Sequence, residues 1–293
     1  MEKEKNYSEL GFKSGLEIHQ QLDTKKLFCN CPSVLRQDEP NFVIKRNLHA
    51  VAGESGEVDI AACHEAEKQK NFIYEGYDTT CLVELDESPP CEINKEALKI
   101  ALQIAVLLNA QIFPISQIMR KTVIDGSNTS GFQRTVLIAR DGWIITKTGR
   151  VEIESICLEE DAARIIERKK DSDVYRLDRL GIPLIEIATY PDMKNAEHVK
   201  EVALHIGKIL RSCKVKRGIG TIRQDINLSI RNGNRVEIKG FQDPSMMVQT
   251  INNEIQRQLS LIRRKEKINA EVRSALPDGR TEFLRPLPGA ARM

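Results

Sequence analysis

One acidic residue sits inside the most strand-like apolar run of this chain, Ile182-Pro183-Leu184-Ile185-Glu186-Ile187. Strand alternation places Leu184, Glu186 and Ala188 on one face and Ile185 and Ile187 on the other. A strand that is apolar on both faces belongs in the middle of a sheet, covered from both sides. A carboxylate at such a position is expensive to bury unless something cationic offsets it. A buried ion pair with Arg176 or Arg179 and a bound divalent cation both satisfy that demand.

Two further acids have similar settings: Glu17 in Gly15-Leu16-Glu17-Ile18-His19, and Glu160 in Leu158-Glu159-Glu160-Asp161-Ala162. Glu17 and His19 are two residues apart, so on a strand they share a face about 6.5–7 Å from each other. Leu16, Ile18 and Leu22 then point the other way. Mg²⁺ suits a carboxylate site that keeps some waters and takes its remaining ligands from phosphates. The sequence has no G-x-x-x-x-G-K-[ST] loop, which excludes a P-loop ATPase. Arg217-Gly218-Ile219-Gly220-Thr221 and the Gly/Ser/Asn/Thr-rich stretch from Met119 to Arg134 can present backbone N–H groups to an anion. A plain surface loop is the simpler reading of the latter.

The rest of the pattern is α+β. Asn94 is placed to cap a helix over 95–109, and Asn195 a helix over 196–211. A third helix is expected over 246–264. Residues 7–30 read as an early strand and loop; 32–75 give no clear assignment. From Thr221 to Ile230, Ile222, Ile226, Leu228 and Ile230 alternate with Arg223, Asp225, Asn227 and Ser229. A hairpin to Arg235–Lys239 is predicted, with Ile230 opposite Val236 and Leu228 opposite Ile238. Its polar face then carries Arg223, Asp225, Glu237 and Lys239, as a solvated exterior or as a nucleotide site.

Net charge is +2, from 44 basic and 42 acidic residues, so the total neither demands nor excludes nucleic acid. No apolar run approaches membrane-span length and the first residues carry no signal-peptide core, so a cytoplasmic protein is expected. Seven scattered cysteines argue for thiols rather than disulfides. Cys29-Asn30-Cys31 is the one close pair; a metal clip with Cys63, Cys81 or Cys91 is conceivable, but no C-x-x-C accompanies it, and free thiols are expected.

Together these segments resemble the GatB/GatE family, and within it the archaeal GatE branch of the glutamyl-tRNA(Gln) amidotransferases more than the bacterial GatB branch. The matching blocks are Ser14–His19, Leu82–Pro90, Met119–Thr135, Cys157–Arg164, Leu177–Ile187, Arg217–Ile230, Val236–Gly240 and Leu284–Met293, in the family's order. The resemblance implies an α+β, glutamine-synthetase-like cradle with mostly antiparallel sheets and packed helices. It implies ATP- and Mg²⁺-dependent phosphorylation of the glutamate on Glu-tRNA(Gln), then amidation with ammonia supplied by a partner, the D subunit of the amidotransferase. Neither DNA nor a membrane is an expected partner. Matched residue by residue, it assigns Glu17, His19, Glu160 and Glu186 as Mg²⁺ ligands and catalytic residues, and Lys121, Arg223, Asp225 and Lys239 as the nucleotide-contacting set. Cys29 and Cys31 match one half of a paired-cysteine zinc site of some bacterial relatives, but the second pair is missing near Cys81. The expected division is a catalytic cradle over 1–265 and, over 266–293, the start of a downstream insertion domain. Weak tRNA binding by this segment alone is expected. A competing reading is a catalytically silent tRNA-binding or assembly module. The acids at 17, 160 and 186 argue against it, because carboxylates repel phosphate unless a metal intervenes. Another is an ATP-using ligase acting on a small molecule.

Overall fold

The structure, a computed structural model, describes residues 6–52, 56–241 and 243–288. The N-terminal residues up to Lys5, which bear on the signal-peptide reading, and Gly289–Met293 of the last matching block lie outside the described residues. In chain order the elements are β1 (Lys13–Gln21), β2 (Phe42–Arg46), α1 (Ile60–Ala66), β3 (Asn71–Gly76), α2 (Lys95–Leu107), β4 (Gln111–Ile112), β5 (Ile118–Thr122), β6 (Phe132–Ile145) and β7 (Arg150–Glu160). They continue with β8 (Arg164–Arg168), β9 (Ser172–Arg176), β10 (Pro183–Thr189), α3 (Ala196–Arg211), β11 (Ile222–Ser229), β12 (Val236–Phe241), α4 (Met247–Arg263), β13 (Glu271–Ala275) and β14 (Thr281–Pro286). The unassigned stretch 32–75 thus holds β2, α1 and β3.

A ten-stranded sheet runs β14-β13-β12-β11-β1-β10-β7-β6-β4, with β5 also paired to β6. Its pairs are antiparallel except β12 with β13. A four-stranded sheet, β2-β3-β9-β8, lies apart. As its two apolar faces require, β10 is interior to the large sheet, between β1 and β7. The core forms where α2, α3 and α4 cover one face of this sheet. Leu16, Ile18, Ile156, Leu158, Ile185, Ile187, Ile226, Leu228, Val236 and Ile238 face the helices and are buried.

The helices start where their caps dictate. Asn94 Oδ1 accepts from Glu96 N and Ala97 N, and Asn195 Oδ1 accepts from His198 N. α4 is preceded by a 3-10 turn, Pro244–Met246, in which Asp243 Oδ1 accepts from Ser245 N.

Two expectations change. The hairpin pairs Leu228 with Val236 and Ile226 with Ile238, two residues away from the expected register. Strand pairing stops early because Arg231 N donates to Leu10 O and the turn packs on α4, where a Cβ on Gly233 would come 2.1 Å from Gln258 Oε1. An even shift leaves every side chain on its expected face. Nor does the chain divide at 265/266. β13 pairs with β12 and β14 with β13, so residues 271–286 extend the main sheet.

Candidate functional site

The face of the large sheet opposite the helices lines a cavity of about 1210 Å³, large enough for a nucleotide with a second substrate. Alternation that sends Leu16 and Ile18 into the core sends Glu17 and His19 into this cavity; the same rule delivers Glu186 from β10, Arg223 and Asp225 from β11, and Glu237 and Lys239 from β12. Cross-strand register then sets His19 beside Glu186 and Glu17 beside Asp225.

Two acid clusters result. His19, Glu159 and Glu186 form one, and Glu17, Asp225 and Glu237 the other, with ligand atoms in each within 4.8 Å of one another. His19 Nε2 lies 2.9 Å from Glu186 Oε2. Lys121 Nζ stands 3.1 Å from both Glu159 Oε1 and Glu186 Oε2. In the second cluster Lys239 Nζ is 2.6 Å from Asp225 Oδ2 and also pairs with Glu237. Asn227 Nδ2 donates to Glu17 Oε1 at 2.9 Å.

Burial and mutual repulsion set the protonation of these groups. Burial, then Glu237 and Glu186, pushes the Glu17 carboxyl up. Burial, then the Glu186 charge, does the same to Glu159. Burial also opposes a charged Glu186, but Lys121 and His19 outweigh it and hold Glu186 well below the usual carboxylate range. Burial opposes a charged His19 ring too; the hydrogen bond and charge of Glu186 prevail and raise it. Repulsion between carboxylates this close is about 3–4 kcal/mol per pair at an effective dielectric of about 20. Five carboxylates in the two clusters face two lysines, so the donor set is rich in hard oxygen ligands and short of positive charge. Hard oxygen donors of this kind are the ligand type that a divalent cation such as Mg²⁺ takes.

The assigned residue Glu160 is not in this group. It pairs with Arg134, Nη1 to Oε2 at 3.0 Å, and Glu159 takes the place in the cluster. On β7, Val151 and Ile153 face the core, and so do Ile156 and Leu158, one residue out of phase. The register slips opposite the Ala188/Thr189 step of β10, where Ser155 and Ile153 are the successive partners. That bulge turns Glu159 toward the cavity and Glu160 away from it. Lys121, Arg223, Asp225 and Lys239 all line the cavity, with Arg223 Nη2 3.0 Å from Asp161 Oδ1. The family resemblance assigns neither Glu159 nor Glu237. Alternation of Glu237 with Val236 and Ile238 is a usable signal; for Glu159 the bulge hides it.

The Gly/Ser/Asn-rich stretch is one wall of the cavity, contributing Val123, Asp125, Ser127 and Asn128. The small sheet pins it: Tyr74 Oη donates to Gly126 O at 2.7 Å, and Tyr175 Oη to Asp125 O at 2.6 Å. Gly126 has φ +89°, and a Cβ there would come 2.2 Å from Phe72.

Elsewhere, Cys29, Cys31, Cys81 and Glu84 converge, with ligand atoms within 4.8 Å. No helix among the described residues is long and apolar enough to cross a membrane.

The GatB/GatE catalytic domain family matches residues 12–292. The E subunit of the glutamyl-tRNA(Gln) amidotransferase of Methanocaldococcus jannaschii is 58% identical over 273 residues, covering 91% of this chain and 43% of the relative. Proteins of the same name from Methanosarcina acetivorans and Methanobrevibacter smithii are 55% and 54% identical, covering 88% and 93% of this chain. The chain spans less than half the length of these relatives, 41–45%. With the match running nearly end to end, this chain belongs to the GatB/GatE catalytic domain family.

Proposed function

We propose that this chain carries the kinase and transamidation site of an ATP-dependent amidotransferase that converts Glu-tRNA(Gln) to Gln-tRNA(Gln). The carrying observation is the pair of acid clusters set side by side on the sheet face that lines the cavity, together with Lys121, Lys239 and Arg223. The names of the relatives supply the tRNA substrate. In this reading His19, Glu159 and Glu186 hold one Mg²⁺, and Glu17, Asp225 and Glu237 a second. Bound Mg²⁺ offsets the negative charge between ATP and the attacking carboxylate.

The chain's own residues bind and orient. Lys121, Lys239 and Arg223 take phosphate oxygens, and the 123–128 wall offers backbone N–H groups. A γ-carboxylate oxygen of the tRNA-linked glutamate attacks the γ-phosphorus of ATP, an O–P bond forms and ADP leaves. The acyl group then carries phosphate as its leaving group; ammonia attacks its carbonyl carbon, phosphate departs with the C–O electron pair, and the surplus proton goes to solvent. Ammonia comes from the partner, the D subunit of the amidotransferase. A net charge of only +2 offers little phosphate neutralisation, so this chain alone is expected to bind tRNA weakly.

With the D subunit, Glu-tRNA(Gln) and Mg-ATP, the expected products are ADP and Gln-tRNA(Gln) in equal amounts. Hydroxylamine in place of ammonia should trap the activated glutamate as its hydroxamate. Calorimetry that finds no Mg²⁺-dependent ATP binding to this chain would sink the reading.

A further inference from the structure

One acid beside the cavity belongs to neither cluster. Asp161 follows directly on β7 and is buried, with both of its oxygens engaged by donors. Oδ2 accepts from Gln21 Nε2 at 2.6 Å, and Oδ1 from Ala162 N at 2.9 Å and from Arg223 Nη2 at 3.0 Å. Its backbone is fixed as well: Asp161 N donates to Ile182 O at 2.7 Å, and Gly181 N to Asp161 O at 3.0 Å. A carboxylate tied in this way is a strong anchor for a guanidinium.

A second guanidinium meets the same oxygen. Arg179 Nε stands 3.8 Å from Asp161 Oδ1. Arg179 is itself held in place, donating from Nε to Ala162 O at 2.8 Å and from Nη2 to Ala163 O at 3.0 Å. Among the described residues, Arg179 Nη1 and Arg223 Nε and Nη1 donate to no protein group, and both side chains line the cavity. Two positive charges therefore share one negative charge and keep donors to spare. Arg223 lies opposite His19 in the pairing of β1 with β11, so the two arginines border the His19, Glu159 and Glu186 cluster. A phosphate group has the charge and the spread of oxygens to engage both forks at once.

We infer that Arg179 and Arg223 form a clamp for one phosphate group, and that Asp161 is the positioning residue that aligns it. The clamp rests on the proposed reading of the cavity as an ATP site, and adds Arg179 and Asp161 to it.

The test is a double-mutant cycle on chain 1–293, with Mg-ATP affinity read by calorimetry and folding by thermal melts. Asp161→Asn keeps the shape, and the Gln21 amide can turn to accept from the new amide, but the charge that aligns Arg223 is lost. The Kd for ATP should rise about five- to tenfold, and adding Asp161→Asn to Arg223→Ala should cost no further affinity. A merely structural role would lower affinity in both backgrounds, so losses that multiply would overturn the positioning role. Arg179→Lys leaves Asp161 intact and keeps the charge but not the fork; it should weaken ATP binding about threefold, and it tests the clamp even if Asp161→Asn fails to fold. The same pattern in the KM for Glu-tRNA(Gln), measured with the D subunit and with ATP affinity unchanged, would assign the clamp to a phosphodiester of the tRNA. ATP affinity and KM that both ignore Asp161→Asn and Arg179→Lys would overturn the clamp alone. A parent chain that binds no ATP would overturn it together with the proposed function.

Discussion

The same strands of the large sheet serve two different faces. On the helical face, β1, β10, β11 and β12 present Ile18, Ile187, Ile226 and Ile238, each fully buried in the core. On the other, the same strands present Glu17, Glu186, Asp225 and Glu237 to a cavity. Burial stabilises the first face outright, at about 25 cal/mol per Å² of apolar surface. The second gathers carboxylates whose mutual repulsion works against folding. Stability and function are thus separated by one residue along each strand, and substitutions on the two faces should fail in different ways.

The largest contrast is expected at Glu186. Glu186→Gln keeps the shape but removes the charge that engages both Lys121 and His19. Phosphoryl transfer should fall on the order of 10²–10³-fold, while thermal unfolding stays close to that of the parent. Normal transfer by this variant would make Glu186 structural.

Glu159 and Glu160 sharpen the comparison, because the bulge assigns neighbours to opposite faces. Glu159→Gln should weaken Mg²⁺ binding by about tenfold or more, read by calorimetry. Glu160→Gln should leave Mg²⁺ affinity near its parent value and cost about 1–3 kcal/mol of stability, because Arg134 loses its charged partner. Reversed outcomes would make Glu160, not Glu159, the ligand.

Arg223→Ala should raise the Kd for ATP about tenfold with folding intact. If solubility drops while ATP affinity holds, this part of the polar face is only a solvated exterior.

On the helical face, Ile187→Val should cost about 0.5–1.5 kcal/mol in denaturant titration and leave Mg-ATP affinity unchanged. A loss of affinity there would show that the faces are coupled rather than separate.

Much of this is legible in the sequence. Asn94 and Asn195 announce the starts of α2 and α3, because a capping side chain acts within its own first turn. The central place of β10 follows from its two apolar faces. The facing of Glu17, His19, Arg223 and Lys239 follows from alternation alone, which is why the hairpin register can be two residues out without moving any of them.

What the sequence could not settle depends on contacts between distant segments. The β7 bulge exists in pairing with β10, so nothing in Cys157-Leu158-Glu159-Glu160 distinguishes its two acids. The union of β13 with β12 rests on parallel pairing across the whole of α4, a non-local contact without a local signal. Glu84 joins Cys29 from 55 residues away, with its charge balanced by a buried lysine from a third position. By itself the sequence determined element starts and side-chain faces, because these obey rules that reach only a few residues. Only the tertiary structure decided which acids share a cavity and which side chains from distant segments converge, because strand register and loop closure are set by the packing of the entire sheet.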